Sequence, residues 1–121
     1  MQKKIYEKAI YYYKESIKLI EDNKKEFAEN EEINIIIHSN LIEANLKYGY
    51  YTNALLYSNK AFKLLKEYSE NIKKGKKINE KIESQKQKIL YRKIRALKGL
   101  RLYYKIYEFL YNKLPKGFKK K

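Results

Sequence analysis

Apolar residues recur at three- and four-residue intervals along most of the chain, the period that gathers them on one side of an α-helix. In the first segment, about residues 2–20, the stripe is Ile5, Ala9, Tyr13, Ile17 and Ile20, and the polar run Glu21-Asp22-Asn23-Lys24-Lys25 closes it. A second segment opens after Asn30, a side chain suited to N-capping, with Glu31 and Glu32 in the first turn where the helix dipole favours acids. It runs to Tyr48 and stops at Gly49, an expected left-handed C-cap. The third, from about Thr52 to Ile72, carries Ala54, Leu55, Tyr57, Ser58, Ala61, Phe62, Leu64 and Leu65. After Lys73-Lys74-Gly75-Lys76-Lys77, a fourth covers about Ile78 to Lys98 and is basic on its exposed side. Beyond Gly99 a fifth runs from Leu102 to Leu114 and ends at Pro115. Four glycines and one proline are the only strong breakers in 121 residues, so little opposes helix between the loops.

The expected fold is therefore all-α, about five helices in antiparallel pairs joined by short turns, with the last segment also readable as a C-terminal helix extension. One helical domain occupies residues 1–114, and 115–121 form a basic tail. Hydrophobic residues at 44% beside charged residues at 36% fit a folded, strongly hydrated helical protein. The chain contains no cysteine, which excludes disulfides and thiolate metal ligands. No apolar run reaches the roughly 18 to 20 residues that span a bilayer, and the start lacks the apolar core of a signal peptide. The expectation is a soluble cytoplasmic protein, with the nucleus left open.

A formal charge of +15 changes the picture in one of two ways. It selects an acidic partner, whether nucleic acid, anionic membrane or acidic peptide, or it reflects an AT-rich codon bias that deposits Lys, Asn, Ile and Tyr on surfaces. Charge leaves both open.

Internal repetition says more. Tyr6-Glu7-Lys8-Ala9, with Tyr13 and Ser16 following, has the spacing of Tyr51-Thr52-Asn53-Ala54, with Ser58 and Ala61 following. A tyrosine plugs the base of a helix pair, and small residues three and ten positions on let the next helix approach. A worn third copy appears at Tyr103, Ile106, Leu110 and Lys113, where both small positions are lost. This pattern resembles the second half of the tetratricopeptide repeat, whose period is about 34 residues. Ala9 and Ala54 are 45 residues apart, and Ala54 and Ile106 are 52 apart, so both spacings imply inserts between repeats, where helices can lengthen.

The stretch Ser39-Asn40-Leu41-Ile42-Glu43-Ala44-Asn45-Leu46-Lys47, with Tyr51, Ala54 and Asn59-Lys60-Ala61, is similar to the middle repeat of FK-type immunophilin co-chaperones. Lys88-Ile89-Leu90-Tyr91-Arg92-Lys93, with Ala96, is similar to the start of their third repeat. The resemblance implies a stack of tetratricopeptide helix pairs with an incomplete first repeat, acting as a protein-binding adaptor. It implies a partner peptide held in the concave groove, such as a heat-shock chaperone tail ending in EEVD. The residues that carry over are Asn40, Lys88 and Arg92, with Lys47 and Arg95 beside them. Lys88 and Arg92 are four apart, on one helical face, where two cations can bracket a carboxylate; Asn40 adds an amide donor. The family's first-repeat Lys and Asn would precede residue 1, so the chain reads as beginning halfway through a repeat, and the resemblance leaves open an upstream prolyl isomerase domain. Ile42 and Ile94 stand where the family has Ala or Gly, which predicts looser helix approach there.

A first helix without its partner leaves the stripe of residues 5–20 partly uncovered, which predicts self-association through residues 1–20. His38, the only histidine, reads as a packed core residue rather than a ligand or base. No Ser, acid or Cys stands with it in a catalytic constellation, and no glycine loop for phosphates exists. The sequence thus predicts no enzyme, no catalytic residues, no metal and no cofactor. Tyr6, Tyr13, Tyr51 and Tyr103 read as packing residues. The alternative reading is a basic helical protein whose Lys73–Lys93 stretch binds nucleic acid or an anionic membrane.

Overall fold

The computed structural model describes residues 2–23, 31–72 and 79–114. Among them are five helices and no strand: α1 (Gln2–Asp22), α2 (Glu31–Tyr48), α3 (Tyr51–Asn71), α4 (Glu80–Gly99) and α5 (Tyr103–Lys113). The fold is the all-α stack that the periodicity predicts. The expected cap at Asn30, the start at Ile78, the lysine-rich 73–77 loop, Pro115 and the 115–121 tail lie outside the described residues. Asn79 caps α4, its Oδ1 accepting from the Lys81 N–H at 2.9 Å.

Successive helices are antiparallel. Tyr48 near the end of α2 donates to Glu7 near the start of α1. Tyr68 and Asn71 at the end of α3 donate to Glu32 and Glu31 at the start of α2, at 3.1 and 3.0 Å. Asn79 also donates to Glu32, at 3.0 Å, which sets the start of α4 beside the start of α2. Helices α2 and α4 therefore lie parallel and side by side, with α1, α3 and α5 alternating behind them.

The reason is visible in α2, which buries Ile35, His38, Ser39, Leu41, Ile42, Ala44, Asn45 and Leu46, more of its circumference than one amphipathic stripe covers. Leu41 and Ala44 meet Ile10 and Ile17 of α1. Ile35, Ile42 and Leu46 join Ala54, Ala61 and Leu65 of α3 and Ile82, Ile89 and Ala96 of α4. The expected small residues Ala54, Ser58 and Ala61 are fully buried. Ile42, expected to loosen helix approach, is fully buried as well, because three alanines in its cluster give up the volume it needs.

The α1 stripe is partly uncovered, as expected, whereas one expectation for the tyrosines needs correction. The buried α1 residues are Ile10 and Ile17, whereas Ile5 is 66% exposed. The Glu7–Tyr48 pairing already places residue 7 at the end of α2, so Ile5 projects past the helix that α1 packs on among the described residues. Tyr103 is 59% exposed rather than packed. Its counterpart Tyr51 lies against Gly99 of the next hairpin, and Tyr103 has no following helix to meet among the described residues.

The turns after α2 and α4 repeat one geometry. Tyr50 N–H bonds Asn45 O at 2.8 Å and Gly49 N–H bonds Leu46 O at 3.1 Å; Leu102 N–H bonds Leu97 O at 2.9 Å and Arg101 N–H bonds Lys98 O at 2.9 Å. Each is a Schellman closure with its C′ residue left-handed, Gly49 at φ 90° and Arg101 at φ 59°. The left-handed position of the second turn is thus Arg101, not Gly99. Gly99 is needed for another reason: a Cβ there would lie 2.5–2.6 Å from the Tyr51 ring.

Candidate peptide-binding face

On the side of α2 left open between α1 and α4, Ile33, Ile36, Asn40, Glu43 and Lys47 follow one another at three- and four-residue spacing. Ile33 and Lys47 are exposed, and the three between them half-buried. Along α4, Lys88, Tyr91, Arg92 and Arg95 run in the same direction, one helix away. The parallel packing of α2 and α4 brings these two rows together, as the contacts of Arg92 and Arg95 with α2 demonstrate.

Arg92 crosses to α2. Its Nη1 donates to the Ser39 carbonyl at 2.8 Å and to the Ser39 hydroxyl at 2.5 Å. Its Nε lies 3.9 Å from Glu43 Oε2. Arg95 Nη1 donates to both Glu43 oxygens, at 2.8 and 2.7 Å, and its guanidinium lies 5.8 Å from the Tyr91 ring centre. Burial pushes the Arg92 guanidinium below its usual range; the charge of Glu43 opposes this and that of Arg95 adds to it.

Asn40 precedes Glu43 by three residues and so lies on the face of α2 that this arginine pair approaches. Lys88 lies one turn before Arg92 and is exposed. Lys47 stands one turn beyond Glu43, at the end of α2, and is exposed too. Of the five residues singled out in the sequence, Asn40 and Arg92 lie at one level of the α2–α4 seam, with Lys88 one turn before them. Arg95 and Lys47 lie further along it. Arg92 and Arg95 also fasten α4 to α2, a structural duty that spacing alone did not reveal.

Two further contributors went unread. Glu43 pairs with Arg92 and Arg95, and with Lys47 and Lys88 in the same two rows the strip keeps a positive excess. Its place three residues after Asn40 was the available signal. Ile33 and Ile36 supply an apolar patch level with the turn that precedes Asn40. Their spacing from Asn40 would have shown them on its face.

His38 is not part of this surface. It is 2% exposed, with Nδ1 2.9 Å from the Asn34 carbonyl, so Nδ1 carries the proton. Burial lowers its pKa, as the core reading requires. No group of three or more His, Cys, Asp and Glu side chains among the described residues is arranged to hold a metal ion. No helix among them is long and apolar enough to cross a membrane. Comparison with protein-family models, curated proteins and solved structures finds no match for this chain.

Proposed function

We propose that the chain is a tetratricopeptide-like adaptor that binds an acidic C-terminal peptide on the α2–α4 face, in the manner of a co-chaperone receiving a chaperone tail. The observation that supports this reading is the parallel α2–α4 pair, along whose seam Arg92 reaches α2 next to Asn40, with Lys88 one turn earlier and Ile33 and Ile36 on the same side of α2. The terminal carboxylate is received by the Lys88 ammonium, the Asn40 amide and the Arg92 N–H groups not bonded to Ser39. An aliphatic side chain just upstream in the peptide rests on Ile33 and Ile36, as the valine of an EEVD tail would. The matched Schellman turns at Gly49 and Arg101, 52 residues apart, support a repeat in which α2–α3 and α4–α5 are equivalent hairpins.

Lys88 and Asn40 make the cleaner test, because neither crosses to another helix as Arg92 does. Titration of an EEVD-ending peptide by calorimetry is expected to show Lys88→Ala and Asn40→Ala each weakening binding about five- to tenfold, the loss of one charge-assisted or neutral hydrogen bond. Unchanged affinity in both variants, with the fold intact by circular dichroism, rejects this site.

A further inference from the structure

The opposite edge of α4 carries a second concentration of positive charge. Phe62 of α3 and Phe109 of α5 meet edge to face, with ring centres 5.8 Å apart. Two ammonium groups share this aromatic pair. Lys93 Nζ lies 4.2 Å from the centre of Phe109 and 5.5 Å from that of Phe62; Lys113 Nζ lies 4.8 Å from Phe62 and 5.3 Å from Phe109. Cation–π attraction holds each, but the two repel one another. The only ion pairs among the described residues are those of Arg92 and Arg95 with Glu43, so neither lysine has a carboxylate partner. Burial, then the charges of Lys113 and Lys105, press the Lys93 pKa down.

A cleft of about 200 Å³ opens beside this pair, between α3, α4 and α5. Phe62, Leu65 and Ile82 form its apolar wall; Lys66, Ser69, Lys86, Lys113 and the acid Glu83 form the rest. Three ammonium groups against one carboxylate leave an excess of two positive charges. A carboxylate ligand would offset half of it. A phosphomonoester, carrying about −1.5 to −2 at neutral pH with three acceptor oxygens, offsets nearly all. The volume is below the ~300–1,000 Å³ of drug-sized pockets, which suits a compact anion.

We infer that this cleft binds a phosphomonoester, its phosphate held by Lys66, Lys86, Lys113 and the Ser69 hydroxyl and its apolar portion against Phe62 and Leu65. The site does not depend on the peptide-binding reading, since it uses other residues on the far edge of α4. Phenyl phosphate is the probe, titrated by calorimetry at constant ionic strength while the amide resonances of Ser69 and Lys113 are followed. Saturable binding with a dissociation constant of about 1 mM or tighter is expected. Lys66→Gln and Lys113→Gln should each weaken it about fivefold or more. Lys18→Gln, which removes the same charge from exposed α1, should leave it unchanged. Circular dichroism melts verify that the variants fold.

Phosphatidylcholine vesicles doped with phosphatidic acid separate the two sources of the phosphate. Capture that phenyl phosphate displaces and Lys113→Gln abolishes assigns a lipid headgroup. Binding of phenyl phosphate without vesicle capture assigns a free phosphorylated small molecule. Failure to saturate, equal binding of benzoate, or an equal loss in Lys18→Gln overturns the proposal.

Discussion

Glu43 is where the fold and the proposed site make opposite demands. Its oxygens accept from Arg95 Nη1 at 2.8 and 2.7 Å, with Arg92 Nε at 3.9 Å. The side chains are 27% exposed for Glu43, 31% for Arg95 and 15% for Arg92. Two unit charges at this range attract by about 4 kcal/mol at an effective dielectric constant near 20. Desolvation and side-chain ordering offset most of that. Exposed pairs retain about 0–1 kcal/mol, whereas hydrogen bonds to charged groups contribute about 1.5–3. Both Arg95 bonds leave one nitrogen, short of the two-nitrogen fork, so the lower half of that range applies. Glu43→Gln should therefore destabilise by about 1–2 kcal/mol, lowering the melting temperature by roughly 4–8 °C in a domain of this size. The same change removes the carboxylate paired with both arginines of the proposed peptide face, and should tighten EEVD-peptide binding about fivefold. Urea unfolding and calorimetry on one protein preparation read the two effects. A variant that is less stable and also binds more weakly refutes the assignment of the cationic excess to peptide binding.

Three more outcomes follow from the packing. Arg101 holds a left-handed conformation that costs a residue with a Cβ about 1–2 kcal/mol, partly offset by glycine's extra chain entropy of about 0.5–1. Arg101→Gly should therefore raise stability by about 0.5–1 kcal/mol, and an unchanged or lower urea midpoint contradicts the turn assignment. Gly99→Ala should lose about 1–3 kcal/mol by overpacking against Tyr51. In a Tyr51→Ala background the same change should be nearly neutral, and additive losses would show that the ring is not the obstacle. His38 is held below its ordinary pKa chiefly by burial, so the unfolded chain takes up the proton first as pH falls. Its contribution is complete above about pH 6.5 and is lost as pH drops toward the folded value. A His38→Gln series should show a flatter stability profile below pH 6.5 than the parent, and identical profiles exclude the histidine as the cause.

The helices were legible because apolar spacing is a local property, and α2 to α5 fall within two residues of their expected described ends. The small residues at 54, 58 and 61 were legible for a related reason: close helix approach demands them at fixed spacing. What could not be read was which side chain would arrive from elsewhere. Gly99 resembles a chain breaker in sequence, yet it sits within α4 to admit Tyr51, and the sharp turn falls on Arg101 two residues later. Ile5 fits the α1 stripe perfectly well by period; it is exposed because α2 ends before reaching it. At the candidate site, the four-residue spacing placed Lys88 and Arg92 on one face. That Arg92 reaches across to Ser39, and that Glu43 joins both arginines, depends on how α2 and α4 register, which no local pattern encodes.

Recognition of a peptide's free acidic terminus is what we propose for the α2–α4 face. The most direct measurement compares an EEVD-ending peptide with its C-terminally amidated form, by calorimetry at several salt concentrations. Amidation should cost at least tenfold in affinity, a loss retained across the salt series. Equal affinity for the two forms, with binding that falls steeply with salt, would contradict it and point to nonspecific polyanion binding instead.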